Sequence, residues 1–126
     1  MTSSILTRTL ALNAGFSGFS GGLLLGAASS LAPWLGTPVW LTRGLGIGLV
    51  VFAIAVTLIG RRPRRSLVRF VIAADAVWAL GATVVILGFP HAMTAAGLWA
   101  LGIVSLAVAD FAVFQMIGLR RSSLPA

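Results

Sequence analysis

Between Arg8 and Arg43 the chain reads TLALNAGFSGFSGGLLLGAASSLAPWLGTPVWLT (residues 9–42), and none of these 34 residues carries a charge. The whole chain of 126 residues is 59% hydrophobic and 9% charged, with a mean hydropathy of +1.07. A soluble domain is about 45–50% apolar and about 25% charged. This composition predicts an integral membrane protein and argues against a disordered chain, a nucleic-acid-binding domain and a water-soluble enzyme.

The chain divides into apolar segments long enough to cross a bilayer, whose core of about 30 Å needs about 20 helical residues. The breaks between segments come at Pro33 and Pro38, at the charged sequence RRPRR (61–65) and at Pro90. We predict an all-α fold, a polytopic membrane four-helix bundle that forms a single transmembrane domain, 1–126. Its predicted helices are at about 9–31, 40–60, 67–88 and 94–119.

The arginines predict the orientation of these helices. With a cytoplasmic N-terminus, eight of the nine arginines lie inside and only Arg43 lies outside. Because positive residues concentrate in cytoplasmic loops, we expect both termini to be cytoplasmic. Every Lys or Arg position holds Arg, a bias that indicates a GC-rich bacterial genome and hence the bacterial inner membrane.

The arginine loop between the second and third helices is interpreted first as a topology determinant. A second expected effect is attraction to anionic lipids, worth about 1 kcal/mol per basic residue near the surface. A loop this short does not predict nucleic-acid binding. The residues concerned are Arg61, Arg62, Arg64 and Arg65.

Small side chains recur every four residues along the first two helices. Such stripes let helix backbones approach closely in a membrane, where hydrophobicity does not drive association. We predict that the stripe packs against another helix of the same chain, and the alternative is a second copy or another membrane subunit. The predicted packing residues are Ala14, Gly18, Gly22, Gly26, Gly44 and Gly48.

Three polar residues inside the predicted spans are the main candidates for function: Asn13, Asp75 and Asp110, with Ser17, Ser20 and Gln115 as weaker ones. A charged side chain at the centre of a bilayer costs at least about 2.5–3.5 kcal/mol. At about 1.5 Å per residue from the flanking arginines, the three main candidates lie in the cytoplasmic half of the bundle. One hypothesis is that they converge on a cavity that binds a proton, a cation or a basic ligand. The alternative is structural, with each Asp bonded to a neighbouring helix or paired with a nearby Arg.

Little in the sequence points to a cofactor or to catalysis. The chain has no cysteine, and its single histidine, His91, follows Pro90 in a predicted outer loop. Axial ligation of a haem or pigment by His91 is an alternative to a plain surface position, but one histidine cannot form a bis-histidine site. We predict no metal site and no cofactor, and the lack of a paired nucleophile and base predicts that the chain is not an enzyme.

Two stretches carry a resemblance to known proteins: ADAVWALG (74–81) and QMIGLRR (115–121), together with a polar residue early in the first helix. In these features the chain resembles small four-helix bacterial inner-membrane proteins of the DoxX-like type, which implies a fold and a location but no activity. The chain is also similar in size to small multidrug-resistance transporters. That family depends on a glutamate in the first helix, where this chain has only Asn13, so its function is not carried over.

Two functions follow from these observations as expectations. The first is a structural or accessory role, in which the chain packs with itself or with a larger membrane complex. The alternative is a small transporter or ligand-binding membrane protein that uses Asp75 and Asp110. The bilayer, including anionic lipids, is the expected partner in both cases, and nucleic acid is not.

Overall fold

Helices form nearly all of the chain that the computed structural model describes, residues 3–126. Met1 and Thr2 of the predicted domain lie outside the described residues. The all-α class is confirmed, and three of the helices, α3, α4 and α5, are long and apolar enough to cross a membrane. The helices are α1 (Ser4–Gly26), α2 (Ala28–Leu35), α3 (Val39–Arg61), α4 (Arg65–Gly88) and α5 (Ala95–Arg120), with a short 3₁₀ helix at Pro90–Ala92.

The predicted helix ends agree with the structure for three spans and differ for the first. The predicted segments 40–60, 67–88 and 94–119 lie within two residues of α3, α4 and α5. The predicted segment 9–31 is wrong as a single helix, because α1 ends at Gly26 and α2 leaves it at an angle of 98°. The bend is at Ala27, whose backbone is not helical (φ −116°, ψ 24°).

Helix α2 lies at one end of the molecule and contains Pro33, so the predicted helix break at this proline is wrong. The helix ends at Leu35 and is followed by Gly36, whose φ of 78° lies in the left-handed region that favours glycine. A Cβ atom at Gly36 would also lie 2.6 Å from the backbone nitrogen of Thr94. Thr94 bonds α2 directly, because its backbone N–H donates to the Leu35 carbonyl at 3.2 Å.

Both described ends of the chain and the arginine loop lie at the opposite end of the molecule. The backbone N–H of Ser3 donates to Ser122 Oγ at 2.8 Å, and Ser3 Oγ donates to the Gly118 carbonyl at 3.0 Å. The guanidinium of Arg65 donates to the Ser122 carbonyl at 2.9 Å, and the Arg65 backbone N–H donates to the Pro125 carbonyl at 2.8 Å. We call this the arginine end.

Helix α1 is central: it packs against α3 on one side and α5 on the other, and α5 packs against α4. By contrast, α3 and α4 have few backbone contacts with each other. Their side chains meet near the arginine end, in an apolar cluster that we call the core cluster. It consists of Leu6, Leu10, Val56, Ile59, Val68, Val71 and Leu119.

The close helix contacts use glycines that differ from most of those predicted. A Cβ atom at Gly21 would lie 2.8 Å from the Gly46 carbonyl oxygen, and one at Gly118 would lie 2.7 Å from the Leu6 backbone nitrogen. These positions therefore have no room for a side chain.

Of the predicted packing residues, two make contacts and four do not. Ala14 packs against the core cluster, and a Cβ atom at Gly18 would lie 3.5 Å from that of Ala53. At the other four positions a Cβ atom would meet nothing within 4 Å. The prediction that these four pack closely against a helix of this chain is therefore wrong. These are Gly22, Gly26, Gly44 and Gly48. A four-residue spacing defines a stripe, but the contact face of α1 runs through Gly21 instead.

The neighbouring pair Gly21 and Gly22 allows a matched test of this packing. We expect Gly21→Ala to destabilise the protein by about 1–3 kcal/mol, because the new methyl group overpacks the contact with α3. Gly22→Ala should leave stability unchanged or raise it by up to about 1 kcal/mol, because its methyl group meets open space and alanine is the better helix former. Thermal unfolding of both variants in detergent measures the difference, and equal midpoints would contradict the α1–α3 contact.

Candidate functional site

Three buried polar side chains from three helices meet in a ring of hydrogen bonds. They are Asn13 of α1, which is 0% exposed, Asp75 of α4 at 3% and Gln115 of α5 at 0%. Asn13 Nδ2 donates to Asp75 Oδ2 at 2.7 Å and to Gln115 Oε1 at 2.9 Å. Gln115 Nε2 donates to the same Asp75 oxygen at 2.9 Å. The ring joins α1, α4 and α5, and we call it the polar ring.

Both polar atoms of the Asn13 amide are satisfied by hydrogen bonds in and beside the polar ring. Both hydrogens of the Asn13 amide are donated, one to a carboxylate and one to an amide oxygen. Ser17 Oγ donates to the remaining Asn13 oxygen at 3.2 Å, one turn further along α1. Asp75 Oδ2 therefore accepts two amide hydrogens, as a carboxylate in an apolar surrounding requires.

The structure brings two of the three main candidate residues together and leaves the third outside. Asn13 and Asp75 bond each other, whereas Asp110 lies on the exposed surface of α5. Asp110 is five residues from Gln115, which places the two about 140° apart around the helix. The expected convergence of Asp110 with Asp75 is therefore wrong, and Gln115 takes its place.

The sequence of α5 indicates that Gln115 lies on the packed face of the helix. It shares one face of α5 with Ser105, Val108, Ala112 and Gly118, which are all buried. Residues three and four apart lie on the same helix face, so this series marks the packed side of α5. The charge of Asp110 makes it a stronger candidate than the neutral Gln115, although Asp110 lies on another face of α5.

No basic residue pairs with Asp75 among residues 3–126, and its hydrogen bonds come from the two amides alone. Of the two structural alternatives for Asp75, hydrogen bonding to neighbouring helices is therefore found, and pairing with a nearby arginine is not, since Arg65 bonds the chain near Ser122. Asp75 Oδ1 accepts no hydrogen bond within these residues. Among residues 3–126, the only polar side-chain atom that is both fully buried and without a hydrogen-bond partner is Trp78 Nε1, so Asp75 Oδ1 is not fully buried. This carboxylate oxygen therefore retains accessible surface.

Asp75 lines a cavity of about 270 Å³, which we call the inner cavity. A second cavity of about 230 Å³, the outer cavity, adjoins it on the side of α2. We call the two together the cleft. The inner cavity is lined by Phe16, Ser17, Ser20, Gly44, Leu45, Gly48, Leu49, Phe52, Ala74, Asp75, Trp78, Val104 and Val108. The outer cavity shares Ser20, Leu45, Leu49, Trp78 and Val104 with it.

The cleft lies between the core cluster and α2. At the arginine end Phe52 packs on the core cluster and also lines the cleft. At the other end Trp34 and Leu35 of α2 line the outer cavity. Helices α3 and α4 both line the inner cavity, have few backbone contacts with each other and have the composition of membrane spans.

Aromatic rings line the inner cavity close to the carboxylate. Phe16, Phe52 and Trp78 contribute to its walls, and Phe16 packs edge-to-face on Phe111 with ring centroids 5.7 Å apart. Trp78 follows Asp75 by three residues on α4, which puts both on one helix face. The site therefore combines one carboxylate oxygen with π surfaces and aliphatic walls.

The remaining candidates lie away from the cleft. His91 is exposed in the 3₁₀ helix, and Arg61, Arg62 and Arg64 are exposed at the arginine end. Within residues 3–126, no group of three or more His, Cys, Asp or Glu residues could hold a metal ion.

Comparisons of the chain with protein-family models, with curated proteins and with solved structures found no match.

The hydrogen bonds of the polar ring predict how strongly substitutions at three polar positions destabilise the protein. We expect Asn13→Leu to cost about 1–3 kcal/mol, because it leaves Gln115 Oε1 without a donor and Asp75 Oδ2 with only one. Asp75→Asn should cost less, since an amide oxygen at this position can still accept both bonds. Asp110→Asn, at an exposed site, should fall within about 0.5 kcal/mol of the original protein.

Unfolding in detergent, followed by circular dichroism, ranks these three variants. An Asn13→Leu protein as stable as the original would contradict the polar ring. A large loss for Asp110→Asn would contradict the placement of that residue outside it.

Proposed function

We propose that this chain is a small, non-enzymatic integral membrane protein that binds a lipophilic ligand in the cleft beside Asp75. The observation that carries the proposal is Asp75, a buried acidic side chain that lines the inner cavity and whose Oδ1 has no hydrogen-bond partner in the described chain. An ionisable group inside a membrane segment is costly and is retained where it has a use. Here the chain supplies donors to one carboxylate oxygen only, so the other is available to a donor from a ligand.

The geometry of the cleft supports access from the bilayer. The core cluster and α2 border its two ends, and α3 and α4 at its side have few backbone contacts with each other and are apolar enough to span a membrane, so we propose that the cleft opens between them. A ligand that uses this opening has to be soluble in hydrocarbon. The apolar walls of the outer cavity, which include Leu24, Leu31 and Leu101, suit the hydrophobic part of such a molecule.

We propose that the chain forms a four-helix transmembrane bundle, with α1 and α2 as one bent span. At 23 residues α1 is about 34 Å long, enough for a bilayer core. Hydrogen bonds bring both described ends of the chain to the arginine end, as an even number of spans requires. The positive-inside rule then makes this end cytoplasmic, in a bacterial inner membrane, with the exposed arginines close to anionic lipids.

An accessory role is the second candidate, and one observation favours it. Gly22 and Gly26 are exposed on α1 and have open space where a side chain would be. Small residues on a lipid-facing surface let another helix approach closely, from a second copy or from another membrane subunit. Such a contact is compatible with ligand binding, because these glycines line neither cavity. Neither proposal includes a cofactor.

The orientation can be tested by cysteine labelling, since the chain has no cysteine of its own. We expect His91→Cys to react with a membrane-impermeant maleimide on intact spheroplasts, because this loop is placed outside. Ala126→Cys should react only after lysis, because the C-terminus is placed inside. Labelling of both positions from the same side would contradict the four-span arrangement.

Binding in the cleft can be tested with a lipophilic quencher. We propose a protein in which Trp78 is the only tryptophan, made with Trp34→Phe, Trp40→Phe and Trp99→Phe, whose indoles are 56%, 74% and 75% exposed. In nanodiscs, an alkyl alcohol with a terminal bromine should quench Trp78 saturably. Adding Gly48→Leu should abolish the saturable part, because the leucine fills the inner cavity.

Gly22→Leu is the matched control for this experiment. Both glycines are exposed and have nothing within 4 Å of a new Cβ atom, but only Gly48 lines the cleft. Saturable quenching that survives Gly48→Leu, or that is absent from the original protein, would overturn ligand binding in the cleft.

A further inference from the structure

We infer that the ligand class of the cleft is a lipophilic amine, whose ammonium group binds Asp75 Oδ1 while its apolar body occupies the outer cavity. This inference rests on the proposed function and specifies the chemistry of its ligand. Three observations carry it: an uncompensated carboxylate, aromatic rings around the same cavity, and side access limited to apolar molecules.

The charge of the site favours a cation. The two donors to Asp75 are neutral amides, so they provide hydrogen bonds without cancelling the carboxylate charge. No basic side chain pairs with Asp75 in the part of the chain that the structure describes. An alcohol could donate a hydrogen bond to Oδ1 but would leave the charge unbalanced, and a fatty acid anion would be repelled. An ammonium group supplies both the hydrogen bond and the opposite charge.

The walls of the inner cavity favour the same group. Ammonium ions are attracted to the faces of aromatic rings, most strongly to tryptophan. Phe16, Phe52 and Trp78 line the inner cavity together with Asp75. A carboxylate among aromatic rings is suited to an organic cation, because the rings stabilise the charge without requiring water.

The surroundings of the cleft exclude small hydrophilic cations. The core cluster separates the inner cavity from the arginine end, where the dense positive charge also repels cations in water. The opening proposed between α3 and α4 faces the bilayer, in which a metal ion or a short polyamine does not dissolve. The cation therefore has to carry an alkyl or aromatic body, for which the outer cavity offers about 230 Å³.

The experiment compares three brominated probes of one chain length: a primary alkylamine, an alkyl alcohol and an alkyl carboxylate. Each is titrated into nanodiscs of neutral lipid that hold the Trp78-only protein, and apparent affinities are expressed per mole of probe in the bilayer. A protein in which Trp40 is the only tryptophan reports the bilayer concentration, because Trp40 is 74% exposed and lines neither cavity.

We expect the amine to bind about tenfold more tightly than the alcohol, and the carboxylate to bind weakest. Asp75→Asn should reduce the amine to the affinity of the alcohol, while the alcohol itself changes by less than about twofold. Unchanged alcohol binding shows that the cleft of this variant is folded. Asp110→Asn removes the same charge from the exposed face of α5 and should leave the preference for the amine intact.

The outcomes separate this inference from the proposed function. Equal binding of amine and alcohol, with both blocked by Gly48→Leu, would keep the binding site and overturn the amine. A preference for the amine that survives Asp75→Asn would also overturn it. Absence of saturable binding by every probe would overturn both proposals. If Asp75→Asn fails to fold, the affinities of the three probes are compared in the unsubstituted protein. A preference there for the alcohol or the carboxylate over the amine contradicts the inference.

Discussion

The hydrogen bonds between Asn13, Asp75 and Gln115 connect three helices at a depth where little else is directional. In a lipid environment hydrophobic burial does not favour one helix arrangement over another, so packing and interhelical hydrogen bonds set the rotation of each helix. The polar ring requires one face each of α1, α4 and α5 to point at a common centre. The rest of the bundle is arranged around that requirement.

Close contacts between backbones complete the arrangement and produce the cleft. Gly21 and Gly46 bring α1 onto α3, and Gly118 brings α5 onto the first turns of α1. Helix α4 is held by α5 and by Asp75, and it has no comparable contact with α3 outside the core cluster. The gap between α3 and α4 thus follows from which helices carry the packing glycines. Asp75 lines the inner cavity, to which both α3 and α4 contribute residues.

Asp75 contributes both to the packing of the helices and to the proposed ligand site. One oxygen of Asp75 takes part in holding the helices, and the other has no partner in the described chain. The oxygen that the helices leave unpaired can accept a hydrogen bond from a ligand, and pairing is favourable because an unpaired acceptor in an apolar environment is costly. This division of one carboxylate between two tasks is the physical basis for the proposed ligand site, and it explains why the candidate chemistry is recognition of a cation.

Composition and local pattern determined the all-α class, the ends of α3, α4 and α5 to within two residues, and the choice of Asn13 and Asp75 as candidates. These features depend on the run of apolar residues along the chain and on the cost of a polar group within it, both of which are local. Only the tertiary structure decided the bend at Ala27, the use of Gly21 instead of Gly22, and the replacement of Asp110 by Gln115 in the site. Each of these depends on the rotation of a helix about its axis relative to its neighbours, and a shift of one residue turns a side chain by about 100°.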